Sequence, residues 1–239
     1  MPLWAGWTLA LVVATLFAGL GSWQLQRMHA KQALLDASAQ VLEQRSAGPL
    51  ALAADPSRAR GYDWAGGSGR FAPLPAVLLD NQNRDGQPGV RAYRVFVPEA
   101  AGAAATPLLV ELGWLPLPGD RRMPQVPVPE VAHIEGLLLP PPSAGLLRAA
   151  PARQADGTVL VVALEPAAVA AALALPALAP RVLRADPDLA LGYARDLELL
   201  PNTLPPQKHL GYAVQWFALA TAVLVVALVL TLRQRRSRR

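Results

Sequence analysis

The chain has 239 residues, of which 53% are hydrophobic, and its formal net charge at pH 7 is +5. It contains no cysteine, which excludes a disulfide framework, an iron–sulfur cluster and the covalent attachment of c-type haem. Five arginines lie in the tail 233–239, directly after an apolar segment. Because the excess positive charge is concentrated there, it does not indicate a nucleic-acid-binding surface on the rest of the chain.

The first predicted element is the uncharged apolar segment from Leu3 to Leu25. About 20 apolar residues are enough to cross the hydrocarbon core of a bilayer as a helix. A cleaved signal peptide is the alternative, and it fits less well because no basic side chain precedes the segment. We therefore predict a transmembrane helix over residues 3–25, followed by a polar helical extension over residues 31–45.

Residues 26–208 are predicted to form one β-rich domain outside the cytoplasm. A stretch rich in small residues, Pro and Gly opens it and reads as a loop, and short β-prone runs punctuated by turn residues follow. Pro166 suits the first turn of a short helix that ends near Leu175. The sequence predicts an α+β membrane protein in which two transmembrane helices flank a mainly antiparallel β domain. The predicted strands are Ala76–Asp80, Val90–Val97, Pro107–Leu117, His133–Leu139, Val159–Leu164 and Arg181–Ala185.

The middle domain carries no recognisable catalytic motif. A Gly-rich phosphate loop, a nucleophile elbow and a zinc-protease helix motif are all missing from the sequence. Asp80 and Asp85 could be imagined as an acid–base pair, but they flank a predicted turn, where Asp is favoured for local hydrogen bonding. We therefore expect that the protein is not an enzyme.

The second predicted span is the uncharged segment from Leu210 to Leu232, and the basic tail 233–239 follows it directly. Clustered arginines beside a span favour the cytoplasmic side, and two spans return the N-terminus to that side. The sequence therefore predicts a multi-pass protein of a bacterial inner membrane with both termini in the cytoplasm. The middle domain would face the periplasm or, in a mitochondrion, the intermembrane space.

Three residues at the start of the second span point to a cofactor. The spacing of His209, Tyr212 and Trp216 places them on one helical face near the outer interface. Ionisable residues at membrane depth favour a functional role, and a neutral imidazole is a common ligand of haem iron. The alternative is that His209 and Tyr212 are interfacial anchors. His29, just beyond the first span, could face the same site.

Recognisable motifs lie along nearly the whole chain, at Leu20–Arg27 with Lys31, Leu79–Asn81 with Asp85–Gly89, Leu109–Pro116, Ile134–Gly136 and His209–Phe217. Together these motifs resemble those of a known family, the surfeit locus protein one family of cytochrome c oxidase assembly factors. Two positions depart from the family pattern. Ala30 stands before Lys31 where the family usually has Trp, and Glu111-Leu112 stands before Gly113-Trp114 where it usually has Asn-Arg.

This resemblance implies a role in inserting haem a into subunit I of the oxidase. Some bacterial members of the family are thought to bind haem a through the histidine that opens the second span, which is His209 here. The resemblance thus implies that His209 ligates the haem iron, while Tyr212 and Trp216 form a pocket wall. Arg27 could pair with a haem propionate, because a guanidinium suits a carboxylate bidentately, or it could extend to the membrane interface.

We expect a haem a chaperone whose partners are cytochrome c oxidase subunit I, other assembly factors and membrane lipid, with no nucleic acid. The alternative is a haem-independent scaffold that binds oxidase subunits during assembly, with the middle domain as its working surface. A membrane protease or transferase lacks residues that could carry its chemistry.

Overall fold

The computed structural model describes residues 3–99, 105–142, 149–191, 193–197 and 204–236. The chain divides into two compact units. The helical unit comprises Met1–Asp36 and Thr203–Arg239, and the sheet unit comprises Ala37–Asn202.

The described residues form three α-helices and nine strands. Two short 3-10 helices, Leu50–Ala54 and Pro56–Arg58, lie between the first two strands. In chain order the elements are α1 (Leu3–Gln44), β1 (Gly48–Pro49), β2 (Asp63–Phe71), β3 (Val77–Arg84), β4 (Gln87–Pro98), β5 (Leu108–Pro116), β6 (His133–Leu139), β7 (Ala152–Arg153), β8 (Val159–Val161), α2 (Pro166–Ala172), β9 (Val182–Ala185) and α3 (Pro206–Arg236).

Helices α1 and α3 are both long and apolar enough, by length and composition, to cross a membrane. Helix α1 runs without interruption through residue 25 and through the polar extension to Gln44. Helix α3 continues past the apolar segment into the first residues of the basic tail and ends at Arg236, while residues 237–239 lie outside the described part of the chain. These two helices are consistent with an inner-membrane protein.

The less exposed positions of the two long helices recur at intervals of three and four residues. That spacing is typical of helices that pack side by side with small crossing angles. Small side chains at several of these positions let the two backbones approach closely. The seam consists of Trp7, Ala10, Ala14, Phe17, Gly21 and Gln24 on α1, and of His209, Ala213, Trp216 and Ala220 on α3.

The described residues of the sheet unit form a nine-stranded sheet in the order β1-β2-β6-β9-β5-β4-β3-β8-β7. An additional pairing of β2 with β4 closes β2, β6, β9, β5 and β4 into a ring. The prediction of a mainly antiparallel domain is corrected by this sheet, which is mixed. The β1–β2, β3–β8 and β5–β9 pairs are parallel. Parallel neighbours need long crossover connections, which hairpin signals in the sequence do not reveal.

Both faces of the sheet are buried. Along β4, Ala92 and Phe96 belong to one apolar cluster, while Tyr93 and Val95 belong to a second cluster on the opposite face. This alternation follows from the two-residue period of a strand. Helix α2 covers the second cluster through Val169. The sheet unit therefore has the double-sided core of a stable domain.

Candidate cofactor site

The helical unit brings His209 and Gln24 into direct contact. Nδ1 of His209 lies 2.7 Å from Oε1 of Gln24, a hydrogen-bond distance. Because an amide oxygen can only accept, the imidazole donates, and its proton resides on Nδ1. The side chain of His209 is 8% exposed, so this polar pair lies inside the helix seam.

The second ring nitrogen of His209 is buried and has no hydrogen-bond partner among the described residues. With the proton on Nδ1, Nε2 carries a free lone pair. A buried polar atom without a partner is rare in a stable fold, because its desolvation is not compensated. A histidine whose other nitrogen is fixed by an amide oxygen has the arrangement that proteins use to hold a metal ligand in place. Nε2 of His209 is therefore oriented and free to act as a ligand atom.

Local sequence explains how the pair is positioned. Pro206 begins α3, as suits the first turn of a helix, and places His209 one turn later on the seam with Ala213. On the facing helix, Gly21 lies one turn before Gln24. A Cβ at Gly21 would lie 2.9 Å from the ring of Phe217, so only glycine permits this close approach without a shift of that ring.

The three other residues predicted for the cofactor site occupy different positions. Trp216 lies on the seam, where its ring centroid is 5.5 Å from that of Phe17. Tyr212 is 42% exposed at the flank of the seam. Arg27 is exposed and its guanidinium lies over the ring of Trp23, at 5.7 Å from the ring centroid.

Lys31 and His29 lie at the same end of the helical unit. Lys31 donates a hydrogen bond of 2.5 Å to the backbone oxygen of Leu204, which ties α1 to the segment that leads into α3. His29 is exposed. Because it lies five residues after Gln24, the helical period places it on a different face of α1.

Gln24 is the site residue that the sequence analysis missed. The sequence did contain a sign of its role, because Gln24 is the single amide side chain in the uncharged segment from Leu3 to Leu25. Polar side chains at membrane depth seek partners on a neighbouring helix. The partner, His209, lies 185 residues away along the chain and only the fold reveals it.

The sheet unit buries a second polar cluster, centred on Glu111. This carboxylate pairs with Arg91 and with Nε of Arg184 at 3.2 Å, and it accepts a hydrogen bond of 3.2 Å from the hydroxyl of Tyr93. Burial alone raises the pKa of Glu111, but attraction to Arg184 and Arg91 outweighs burial and holds the pKa below its ordinary value. The paired charges indicate a structural cluster. Among the described residues, no three His, Asp or Glu side chains are placed to hold a metal ion.

A family model described as the SURF1 family matches residues 11–221 of the chain. The chain belongs to the SURF1 family. The match includes Gln24 and His209, most of α1 and about half of α3, and it confirms the resemblance inferred from the motifs. The SURF1 family is associated with cytochrome c oxidase assembly and is not a known enzyme family. No curated protein matches the chain in a sequence search.

Proposed function

We propose that this SURF1-family protein chaperones haem a to subunit I of cytochrome c oxidase and holds the haem iron through Nε2 of His209. The observation that supports the proposal is the buried, unpartnered Nε2 of a histidine whose Nδ1 is fixed by Gln24. Haem iron accepts a neutral imidazole as an axial ligand, and the hydrogen bond from the opposite ring nitrogen increases the basicity of that ligand.

The residues around His209 fit the remaining parts of a haem. Phe17 and Trp216 provide an aromatic surface on the seam for an apolar ring system. Tyr212, at the exposed flank, could cover an edge of the same ring. Arg27 is solvent-exposed, and its planar guanidinium suits a haem propionate. Haem itself would supply the iron, and the protein would bind, orient and release it.

The burial of Nε2 suits a carrier better than a permanent haem protein. An iron atom reaches this nitrogen only after the atoms that cover it have moved. The apparent affinity for haem is then the intrinsic affinity multiplied by the fraction of molecules in the open state, so it is lower. One histidine ligand and a costly opening step would together keep the haem transferable.

The position of His209 along α3 supports a site at the outer surface of the membrane. His209 and Arg233 are 24 residues apart, which corresponds to about 36 Å of helix, compared with a hydrocarbon core of roughly 30 Å. If the arginines lie on the cytoplasmic side, as the positive-inside rule favours, His209 lies at the periplasmic interface. Both termini would then be cytoplasmic, and the sheet unit would be periplasmic, where it could contact oxidase subunits and other assembly factors.

The test is an optical spectrum of the full chain, purified in detergent from cells that make haem a. We expect a reduced haem a band in the wild type, its loss in His209→Ala, and its retention in the matched variant His29→Ala, which removes an exposed histidine. A colourless wild type from cells shown to contain haem a would support the haem-independent scaffold instead. A band of equal strength in His209→Ala would exclude this residue as the ligand.

A further inference from the structure

An apolar groove lies between α1 and α3 at the end of the helical unit opposite His209. Its volume is about 930 Å³, near the upper end of the roughly 300–1,000 Å³ typical of ligand sites. Leu3 and Gly6 line it from α1, and Val226 and Leu230 line it from α3. Gly6 contributes open space, because a Cβ added there would meet no atom within 4 Å.

One end of the groove is positively charged. Arg233 lines the groove there, and Arg235 and Arg236 lie in the same last turn of α3. In the described parts of the helical unit, 3–36 and 204–236, the only acidic residue is Asp36, which lies near the opposite end of that unit. Among these described residues the arginines therefore have no side-chain carboxylate within reach, and the groove offers a cationic mouth to an anionic ligand.

The length of the groove matches one leaflet of a bilayer. Its wall on α3 extends from Leu219 to Gln234, and the part from Leu219 to Arg233 is about 21 Å of helix. One leaflet of a bilayer, head-group region included, is roughly 20–22 Å thick. A ligand with its anionic group at Arg233 could therefore lay an acyl chain along the groove without leaving its own leaflet.

We propose that this groove binds an anionic phospholipid, with its phosphate paired to Arg233 and an acyl chain along the apolar walls. A guanidinium is well suited to pair with phosphate, and basic pockets between membrane helices are known sites for anionic head groups. A second copy of the chain in the same orientation would bring two arginine clusters together, which disfavours it as the occupant. The proposal rests on insertion of the helix pair in a membrane and does not depend on haem binding.

The charge requirement is tested by native mass spectrometry of the full chain in detergent. The protein is titrated with phosphatidylglycerol and, separately, with phosphatidylethanolamine that has identical acyl chains. We expect tighter binding of phosphatidylglycerol. The Arg233→Gln variant should weaken that binding by about fivefold, the equivalent of roughly 1 kcal/mol for one arginine at an anionic surface. The Arg235→Gln variant removes a charge from the same turn but outside the groove lining, so it should weaken that binding by a smaller factor.

The apolar requirement is tested with a matched pair of glycine variants. Gly6→Leu fills the groove, whereas Gly19→Leu adds the same side chain to open space elsewhere on α1. We expect only Gly6→Leu to abolish retention of either lipid, with the helical content of both variants unchanged by circular dichroism. Equal binding of the two lipids, equal effects of the two arginine variants, or normal binding by Gly6→Leu would each overturn the proposal. The haem spectrum of each variant is recorded as well. Because the lipid proposal does not depend on haem binding, its failure would leave the haem proposal unaffected.

Discussion

Nδ1 of His209 donates a hydrogen bond to Oε1 of Gln24 across 2.7 Å, although the two residues lie 185 positions apart in the chain. The bond fixes the ring orientation and leaves the lone pair on Nε2. A partner of this kind orients a metal ligand and strengthens its binding. The pair therefore links the packing of two apolar helices to the proposed chemistry of haem binding.

Removal of the Gln24 amide should weaken haem binding while the fold persists. The Gln24→Leu variant keeps a similar side-chain volume but leaves the Nδ1 proton buried without an acceptor, so the ring is free to change tautomer and orientation. We expect haem affinity to fall about 10- to 100-fold, as is usual when a ligand loses its supporting partner. The measurement is an absorbance titration of haem into the purified full chain in detergent.

Two variants control this experiment. Gln24→Glu retains an acceptor for the Nδ1 proton and should keep most of the affinity. Gln215→Leu removes another amide from an apolar segment, but Gln215 is exposed on α3, so no change is expected. Equal affinities for Gln24→Leu and wild type would show that the hydrogen bond does not position the ligand.

Gly21 sets the distance between the two long helices near the site. A leucine at this position would overlap the ring of Phe217, because even a Cβ added to Gly21 would lie only 2.9 Å from that ring. The helices or the ring would have to shift, and overpacking of this kind costs about 1–3 kcal/mol. We expect Gly21→Leu to lower the stability of the helical unit, measured by unfolding in mixed detergent micelles, and to reduce haem affinity.

Gly19→Leu is the matched control, because a side chain at Gly19 meets open space. Truncation of Phe217 should make room for the leucine at position 21. The double variant Gly21→Leu with Phe217→Ala should therefore recover part of the lost stability. If Gly19→Leu were as destabilising as Gly21→Leu, close approach of the helices at Gly21 would not be the cause.

Local patterns in the sequence predicted much of the sheet unit. The run His133–Leu139 was predicted with the observed bounds of β6, because its apolar residues are flanked by clear breaks. Strand β2, over Asp63–Phe71, was missed because its three glycines resemble a loop. The fold requires small residues there, since a Cβ at Gly69 would meet the backbone oxygen of Val97 at 2.4 Å. A requirement imposed by a neighbouring strand is not visible in local composition.

The candidate site was predicted only in part for a similar reason. His209 was identified from its position at the start of an apolar helix, which is a local property. Its burial and its Gln24 partner depend on the register between α1 and α3, which the sequence does not specify. Tyr212 and Trp216 share a broad helical face with His209, but the seam passes through Trp216 and leaves Tyr212 at its flank.

Glu111 is expected to be essential for the stability of the sheet unit. It is 2% exposed and forms ion pairs with Arg91 and Arg184, both of them buried. Glu111→Ala would leave these guanidinium groups without their carboxylate, and removal of one partner from a buried ionic cluster costs about 3–5 kcal/mol. The free energy of unfolding is measured in urea by tryptophan fluorescence of the full chain in detergent.

The control for Glu111→Ala is Arg122→Ala, which breaks the surface ion pair between Arg122 and Asp120. The Arg122 side chain is 88% exposed, and such pairs contribute at most about 1 kcal/mol. A loss of stability in Glu111→Ala no larger than that of the control would mean that the buried cluster is not what stabilises the sheet unit.

The same carboxylate should make stability depend on acidity. Burial alone raises the pKa of Glu111, but Arg184 and Arg91 hold it below its ordinary value, which is about 4.3 in an unfolded chain. A group whose pKa is lower in the folded state stabilises the fold fully above the unfolded pKa, and that contribution declines as the pH falls through the folded pKa. The wild type should therefore lose stability steadily from about pH 4.3 downward.

Glu111→Gln, which is less stable at neutral pH, should lose less over the same range because position 111 no longer takes up a proton. Urea unfolding midpoints recorded from neutral pH down to about pH 3 test this, and parallel profiles for the two proteins would show that Glu111 binds its proton equally well in the folded and unfolded states.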